Sequence, residues 1–444
     1  MLSDPICALA TPPGRSALAV ARLSGRGAFD IARRVLNWAT DRAIDGRRPI
    51  LAGFHATTDG CQRFDQGLVT FFPGPTSYTG EDLVEFCCHG GLVVPSQLVI
   101  ALTGAGARLA MPGEFTQRAV RNRKLDLLRA EAIGDLIDAR TRAQGRAALT
   151  QLEGGLSKRI TGLRGDLIDL LGLLTYDIDF PEEDDGPIGL GRIGEALSGV
   201  RRSVQHLVAT APIGERLREG ALVVLAGRPN AGKSSLFNAL LGTSRALVTE
   251  VPGTTRDAIE ADLDLDGWPV RLVDTAGLRQ SGDWIEQLGI EVSRKYLAAA
   301  DLVLFCVEAG RPVGDDEIAW SNPAKTTIVR TKADLTAEAG HEAVSTVTGA
   351  GLDRLKAGLV TRLFSDQQGF ADLDPVLTRE RHRSALLEAG VALEAAEQVI
   401  TERGDVVLVA HQVRRAVASL DELIGVVDVE AVLGRVFETF CVGK

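Results

Sequence analysis

One stretch limits what this chain can fold into more than any other, Val223-Val-Leu-Ala-Gly-Arg-Pro-Asn-Ala-Gly-Lys-Ser-Ser-Leu236. An apolar, β-rich run from Ala221 to Ala226 leads into Gly227-x-x-x-x-Gly232-Lys233-Ser234, and a helix-like stretch from Ser235 to Leu241 follows. This is the phosphate-binding loop pattern in its strand–loop–helix setting. Its glycines let the backbone wrap closely, so that N–H groups and the helix N-terminus face phosphate oxygens. Lys233 is expected to reach the β- and γ-phosphates and Ser234 to place its hydroxyl on Mg2+.

The segment that follows names the base. Ala258 to Leu265 alternates, Asp266-Gly267 supplies a tight turn, and Val270 to Val273 returns as the second strand of a hairpin. That strand ends in Asp274-Thr275-Ala276-Gly277, where Asp274 suits an outer hold on Mg2+ and Gly277 a backbone N–H to the γ-phosphate. Two more apolar strands, Leu302 to Val307 and Thr326 to Val329, lead to Thr331-Lys332-Ala-Asp334. An Asp here accepts two hydrogen bonds from the N1 and N2 edge of guanine, a pair adenine does not offer, so GTP is expected rather than ATP. The usual residue at the first position is Asn. Thr331 leaves one base-to-loop hydrogen bond open. Val344-Ser345-Thr346-Val347-Thr-Gly349 matches the last guanine-contacting strand end, with Thr346 where Ala is commoner. Thr255, in Gly253-Thr254-Thr255-Arg-Asp257, is placed to bind Mg2+ from a switch loop. Leu278 stands where a Ras-like enzyme has its catalytic Gln. Asn230 and Glu286 are the remaining candidates for hydrolysis, against bland readings as a loop-stabilising amide and a solvated helix residue.

At 444 residues the chain exceeds one core, and length suggests about three domains. A net charge of −10 argues against a general nucleic-acid binder, although a local basic face can still dock RNA. The six cysteines show no disulfide or zinc spacing, and Cys87-Cys88-His89 reads as packing, since neighbours on a strand face opposite ways. No basic leader and no apolar run of ~18 residues is present, so a cytoplasmic protein without a membrane span is expected. Residues 1 to about 120 read as a compact α+β block, with strands at Ile6 to Ala10, Ala17 to Leu23, Gly67 to Phe72 and Asp82 to Cys87. From Leu125 apolar residues recur at helical spacing almost to Tyr176, resume from Leu190 to Ala209, and return from Leu377. The economical arrangement is one helical domain with the nucleotide-binding domain inserted into it.

Further motifs carry a resemblance. Ala8-x-Ala-Thr-Pro-Pro-Gly-Arg15, Ser77-Tyr-Thr-Gly-Glu-Asp82, Pro112-Gly-Glu-Phe-Thr116, Lys124-Leu-Asp-Leu127 and the terminal Phe440-Cys-Val-Gly-Lys444 resemble the MnmE (TrmE) family of tRNA modification GTPases. So do Gly227 to Ser235 and Gly253 to Asp257, and the likeness spans essentially the whole chain. It implies a multidomain fold: an α+β N-terminal folate-binding domain (1–121), a discontinuous α-helical domain (122–218 and 371–444), and an inserted α/β Ras-like P-loop G domain (219–370). It implies GTP/GDP contacts over Asn230, Ala231, Gly232, Lys233, Ser234, Ser235, Thr249, Glu250, Val251, Pro252, Gly253, Thr254, Thr255, Asp274, Thr275, Ala276, Gly277, Thr331, Lys332, Asp334, Ser345, Thr346 and Val347.

The resemblance also answers the missing Gln. It implies a K+ ion held by Asn230, Thr249, Thr254 and the Val251 carbonyl, Mg2+ on Ser234 and Thr255, and Glu286 as general base through a water, beside Lys233 and Asn230 as catalytic residues. Pro252 departs from the commoner Ala without removing a side-chain ligand. A tetrahydrofolate derivative, 5-formyl or 5,10-methylene, is implied at Arg22, Glu85, Lys124 and Lys444, with Cys441 on the tail. A carboxylate there grips pterin N–H groups, and cations pair with folate carboxylates. Phe437 and Phe440, at i and i+3, are expected to pin the tail to an apolar surface, and the pocket is expected to be completed across a dimer. The implied partners are tRNA, an FAD-containing MnmG-type protein in a heterotetramer, and a second copy of the chain, with neither DNA nor membrane. The implied reaction adds a carboxymethylaminomethyl group to C5 of the wobble uridine. The alternatives are an Era- or Der-like ribosome-assembly GTPase, against which stand the single P-loop and the lack of a KH-like module after it, and a regulatory switch with a docking scaffold.

Overall fold

The computed structural model describes residues 4–41, 43–57, 61–179, 190–243, 245–246, 260–274, 295–314, 324–336, 343–364, 375–402, 404–425, 440 and 442–443. Two compact units emerge, one of residues 1–134 with 421–444 and one of residues 135–420.

The first unit is built on a six-stranded sheet. In chain order it comprises β1 (Ile6–Leu9), β2 (Gly14–Ser24), α1 (Ala28–Val35), β3 (Ile50–His55), β4 (Arg63–Phe72), β5 (Leu83–Gly91), α2 (Val93–Gly104), β6 (Arg108–Leu109), α3 (Glu114–Arg121) and the start of α4 (Leu127–Asp138). The strand order is β3-β4-β5-β2-β1-β6, antiparallel except for β1 beside β6. Period-two alternation decides which residues are core. Ala19, Ala21 and Leu23 of β2 and Val84, Phe86 and Cys88 of β5 point inward, with Ile31, Ala32 and Val35 of α1 and Leu98 and Leu102 of α2 packed over them. The same alternation turns Arg22 and Glu85 to the other face, and the register places them directly opposite each other.

Helix α3 buries Glu114, Thr116 and Arg118 beside Phe115, Ala119 and Val120. Arg118 is 1% exposed, and its guanidinium meets Glu81 at 3.0 Å, Glu114 at 3.0 Å and Asp4 at 3.2 Å. Arg108 completes the network on Glu114 and Asp4. Burial pushes the Glu114 carboxyl up, but hydrogen bonds from Arg108 and the Met111 N–H, with Arg118 beside it, hold it below its ordinary value of 4.5. Removing one partner of such a cluster strands buried charge at about 3–5 kcal/mol. Arg118→Ala is therefore expected to lower the calorimetric unfolding transition of this unit sharply, and an unchanged transition would contradict the assignment. Because the folded-state value of Glu114 is depressed, its contribution is present above pH 4.5 and is lost as pH falls through the folded value.

The second unit joins helices to a second sheet. Its elements are α5 (Arg142–Leu152), α6 (Gly155–Asp179), α7 (Leu190–Ala209), α8 (Ala211–Glu219), β7 (Ala221–Ala226), α9 (Lys233–Thr243), β8 (Arg245–Ala246), β9 (Glu260–Leu265), β10 (Trp268–Asp274), β11 (Leu302–Glu308), β12 (Thr326–Thr331), α10 (Leu352–Phe364), α11 (Glu380–Glu402) and most of α12 (Val406–Ile424). The long helical block expected from Leu125 is three helices, the second opened by a capping box between Thr141 and Gln144. Ile193, Leu197, Val200, Val204 and Leu207 line the buried stripe of α7, which packs along α11 through Leu386, Ala389, Leu393 and Ala396.

The sheet order is β12-β11-β7-β10-β9-β8, parallel across β12, β11, β7 and β10 and antiparallel at the β9 and β8 edge. All six residues of β7 are buried, as a central parallel strand requires. Helices that precede this sheet in sequence tie onto it. Arg216 of α8 pairs with Asp301 at 2.7 Å, Asp301 accepts the Leu222 N–H at 2.9 Å, and the Ala143 N–H of α5 reaches the Gly267 carbonyl at the β9–β10 turn. The C-terminal ends of β7, β10 and β12 all lie on one edge, where open α/β sheets bind ligands.

Candidate functional site

At the end of β7 the chain turns through 227–232 into α9. Gly227 sits at φ +137°, and a Cβ there would lie 2.4 Å from the Cys306 carbonyl oxygen of neighbouring β11, so only glycine fits. Burial pushes the Cys306 thiol up to about 12, which leaves it an inert packing residue. The Lys233 ammonium is buried and donates to the Gly227 carbonyl at 2.8 Å and the Arg228 carbonyl at 2.7 Å, inside the curve of the loop. Asn230 stands at the exposed crest with φ +61°. Ser234 donates its hydroxyl to Asp274 Oδ2 at 2.7 Å, which joins the first turn of α9 to the last residue of β10. A hydroxyl and a carboxylate at one edge form the hard oxygen donor set that suits Mg2+.

The base-recognition side is equally ordered. Asp334 lies in a short 3-10 turn, and the buried Ser345 hydroxyl donates to its Oδ1 at 2.6 Å. The Ala333 N–H to Val344 carbonyl bond fixes the two segments together, and the Thr348 N–H caps the Ser345 oxygen. Lys332, at φ +56°, pairs with Glu308 at 3.2 Å. Thr331 turns away from solvent and donates to the Ala231 carbonyl of the phosphate loop at 2.7 Å. The structure therefore brings Asn230, Ala231, Gly232, Lys233, Ser234 and Asp274 to one strand edge and links them through Thr331 to the Asp334–Ser345 pair. Ser235 and Val347 are exposed, and Thr346 is half-buried. Thr249, Glu250, Val251, Pro252, Gly253, Thr254, Thr255, Thr275, Ala276, Gly277 and Glu286 lie outside the described residues.

A second cluster forms on the outer face of the first unit. Arg22 Nε donates to Glu85 Oε1 at 2.8 Å, and its Nη1 reaches the Gly443 carbonyl at 3.4 Å. The guanidinium lies 5.9 Å from the centre of the Tyr78 ring, and the Tyr78 hydroxyl bonds to buried Thr116 at 2.8 Å. Lys124 donates to the Pro75 carbonyl at 3.0 Å, on the loop that carries Tyr78. Phe440 packs with Val120, Leu125, Leu127 and Ala130, as the pinning reading expects, while Phe437, Cys441 and Lys444 lie outside the described residues. Gly443 reaches Arg22 within the chain, and Phe440 packs on the chain's own first unit. Tyr78 and Thr116 were not singled out from sequence, although both stand in motifs that carry the resemblance.

A mixed sheet with a parallel core, a lysine-filled phosphate loop, a Ser–Asp pair for a hard cation and a carboxylate poised for guanine defines a GTPase, and this chain is a GTP hydrolase. Comparison with known proteins agrees and narrows the class. A profile of the MnmE helical domain matches residues 127–441, and one of the GTP-binding protein TrmE N-terminus matches residues 5–124. The chain is 43% identical to the tRNA modification GTPase MnmE of Thermus thermophilus, covering 100% of this chain and 99% of that protein. It is 38% identical to the Aquifex aeolicus protein of the same description, over 100% of both, and 40% identical to the Pseudomonas fluorescens one, over 99% of both. The chain belongs to the MnmE (TrmE) family of tRNA modification GTPases. Among the described residues no helix is long and apolar enough to cross a membrane.

Proposed function

We propose that this chain hydrolyses GTP to drive the addition of a carboxymethylaminomethyl group to C5 of the wobble uridine of certain tRNAs. In this reading it works in the cytoplasm as a homodimer with an FAD-containing MnmG-type partner, and a tetrahydrofolate derivative supplies the carbon. The observation that carries the reading is the Arg22–Glu85 pair facing out beside the chain's own C-terminal Gly443. A scaffold for docking alone has no need of an opposed cation and carboxylate with an aromatic ring beneath them.

The pair fits a reduced folate. Glu85 keeps Oε2 for pterin N–H groups, and Arg22 keeps N–H groups on Nη1 and Nη2 for ligand oxygens, with Lys124 and Lys444 taking folate carboxylates. Calorimetry with 5-formyltetrahydrofolate tests this. Wild type is expected to bind and Glu85→Ala to bind at least about tenfold more weakly, since a hydrogen-bonded charge is lost. Equal binding would remove the one-carbon site.

At the GTPase site, Lys233 and the loop N–H groups would hold the phosphates, while Ser234 and Thr255 would bind Mg2+ and Asp274 would support it from an outer position. A monovalent cation on Asn230, Thr249, Val251 and Thr254 would supply positive charge beside the transferring phosphoryl group. Glu286 orients the attacking water as general base. Glu286→Ala is expected to lower kcat by about 10²-fold with GTP affinity nearly unchanged. Wild-type turnover in that variant would return Glu286 to a solvated face.

A further inference from the structure

Thr331 occupies a position with two tasks, one toward the phosphate loop and one toward the base. Its side chain has a single proton to give. The hydroxyl lies 2.7 Å from the Ala231 carbonyl and 3.3 Å from the Val307 carbonyl, at 1% exposure. Both neighbours are acceptors, so the proton is committed to the loop at the shorter distance, and the group is closed to bulk solvent. An amide at this position would carry two N–H donors and an acceptor; threonine carries one donor. Guanine presents N7 as a pure acceptor on its outer edge. A hydroxyl whose proton is held by Ala231 has nothing to offer it.

We propose that Thr331 is a positioning residue that ties the phosphate loop to the base-recognition loop and leaves guanine N7 unread. On the N1 and N2 edge the base is then read by Asp334, with Ser345 holding that carboxylate through its 2.6 Å bond. The linkage has a mechanical side as well. Ala231 is buried and immediately precedes Gly232 and Lys233, so the Thr331 bond fixes the loop backbone where phosphate is held. Losing that bond weakens any nucleotide held by the loop, whatever its N7.

The test compares GDP with 7-deaza-GDP, in which N7 is replaced by C–H, by equilibrium titration of the full-length protein with Mg2+. Wild type is expected to bind the two within about twofold, because no donor faces N7. Thr331→Val, which keeps shape and removes the hydroxyl, is expected to weaken both by the same factor of about tenfold. Thr331→Ser, which restores the proton donor in a smaller side chain, is expected to recover most of that loss for both nucleotides. If the valine variant does not fold, as judged by its melting transition, the wild-type ratio and the serine variant still decide the matter. A wild-type preference for GDP over 7-deaza-GDP of about fivefold or more would show that N7 is read, and would overturn the proposal. So would unchanged affinity in Thr331→Val, which would show that the bond to Ala231 positions nothing.

Discussion

Gly443→Ala is expected to abolish tRNA modification while GTP hydrolysis by the free protein stays within about twofold of wild type. Gly443 adopts φ +99°, a conformation that side chains rarely accept, and an added Cβ would sit 2.4 Å from the Leu9 carbonyl oxygen and 2.9 Å from the Ala10 Cα. Both are backbone atoms at the end of β1, so neither yields by a change of rotamer. The tail would have to lift. Its carbonyl would leave Arg22, and with it the tail would lose its docked position beside the Arg22–Glu85 pair. Deleting Cys441 to Lys444 should give the same phenotype. The phosphate loop belongs to the other unit, which is why hydrolysis is expected to persist. Full modification activity in Gly443→Ala, measured on purified tRNA, would show that the docked tail contributes nothing.

The second large effect is expected at Asn230. Leu278 stands where a Ras-like catalytic Gln would be, so charge developing in the transition state must be met by other groups. Asn230 presents a carboxamide at the crest of the loop, held there by a left-handed backbone that Asn tolerates well. Hydrolysis is expected to be faster in K+ than in the smaller Na+ by about tenfold or more, and Asn230→Ala is expected to erase that difference. The comparison is made at constant ionic strength with saturating GTP. Equal rates in the two salts, or an intact K+ response in Asn230→Ala, would sink the idea.

Much of this was legible in the sequence, and the parts that were not share a cause. Strands β1, β2, β4 and β5 announce themselves as short strand-like runs broken by turn residues, and the phosphate loop by its spacing, because both signals are local. Helix α3 hides because Glu114, Thr116 and Arg118 are buried beside Phe115, Ala119 and Val120, so polar residues interrupt its apolar pattern. The Arg22–Glu85 pair joins residues 63 apart and the Arg22–Gly443 contact residues 421 apart, and no periodicity reports such distances. Register, set by the whole sheet, supplies them. Thr331 illustrates the converse. Its departure from Asn is plain in the sequence, but only the fold shows that its one proton goes to Ala231.

The central claim is tested most directly on tRNA. Mass analysis of the wobble nucleoside, from cells with the gene deleted and from cells complemented with wild type or Asp334→Ala, bears on GTP use and modification together. The account predicts that carboxymethylaminomethyl-uridine disappears on deletion, returns with the wild-type gene, and does not return with Asp334→Ala. Unchanged wobble nucleosides in the deleted strain would contradict it.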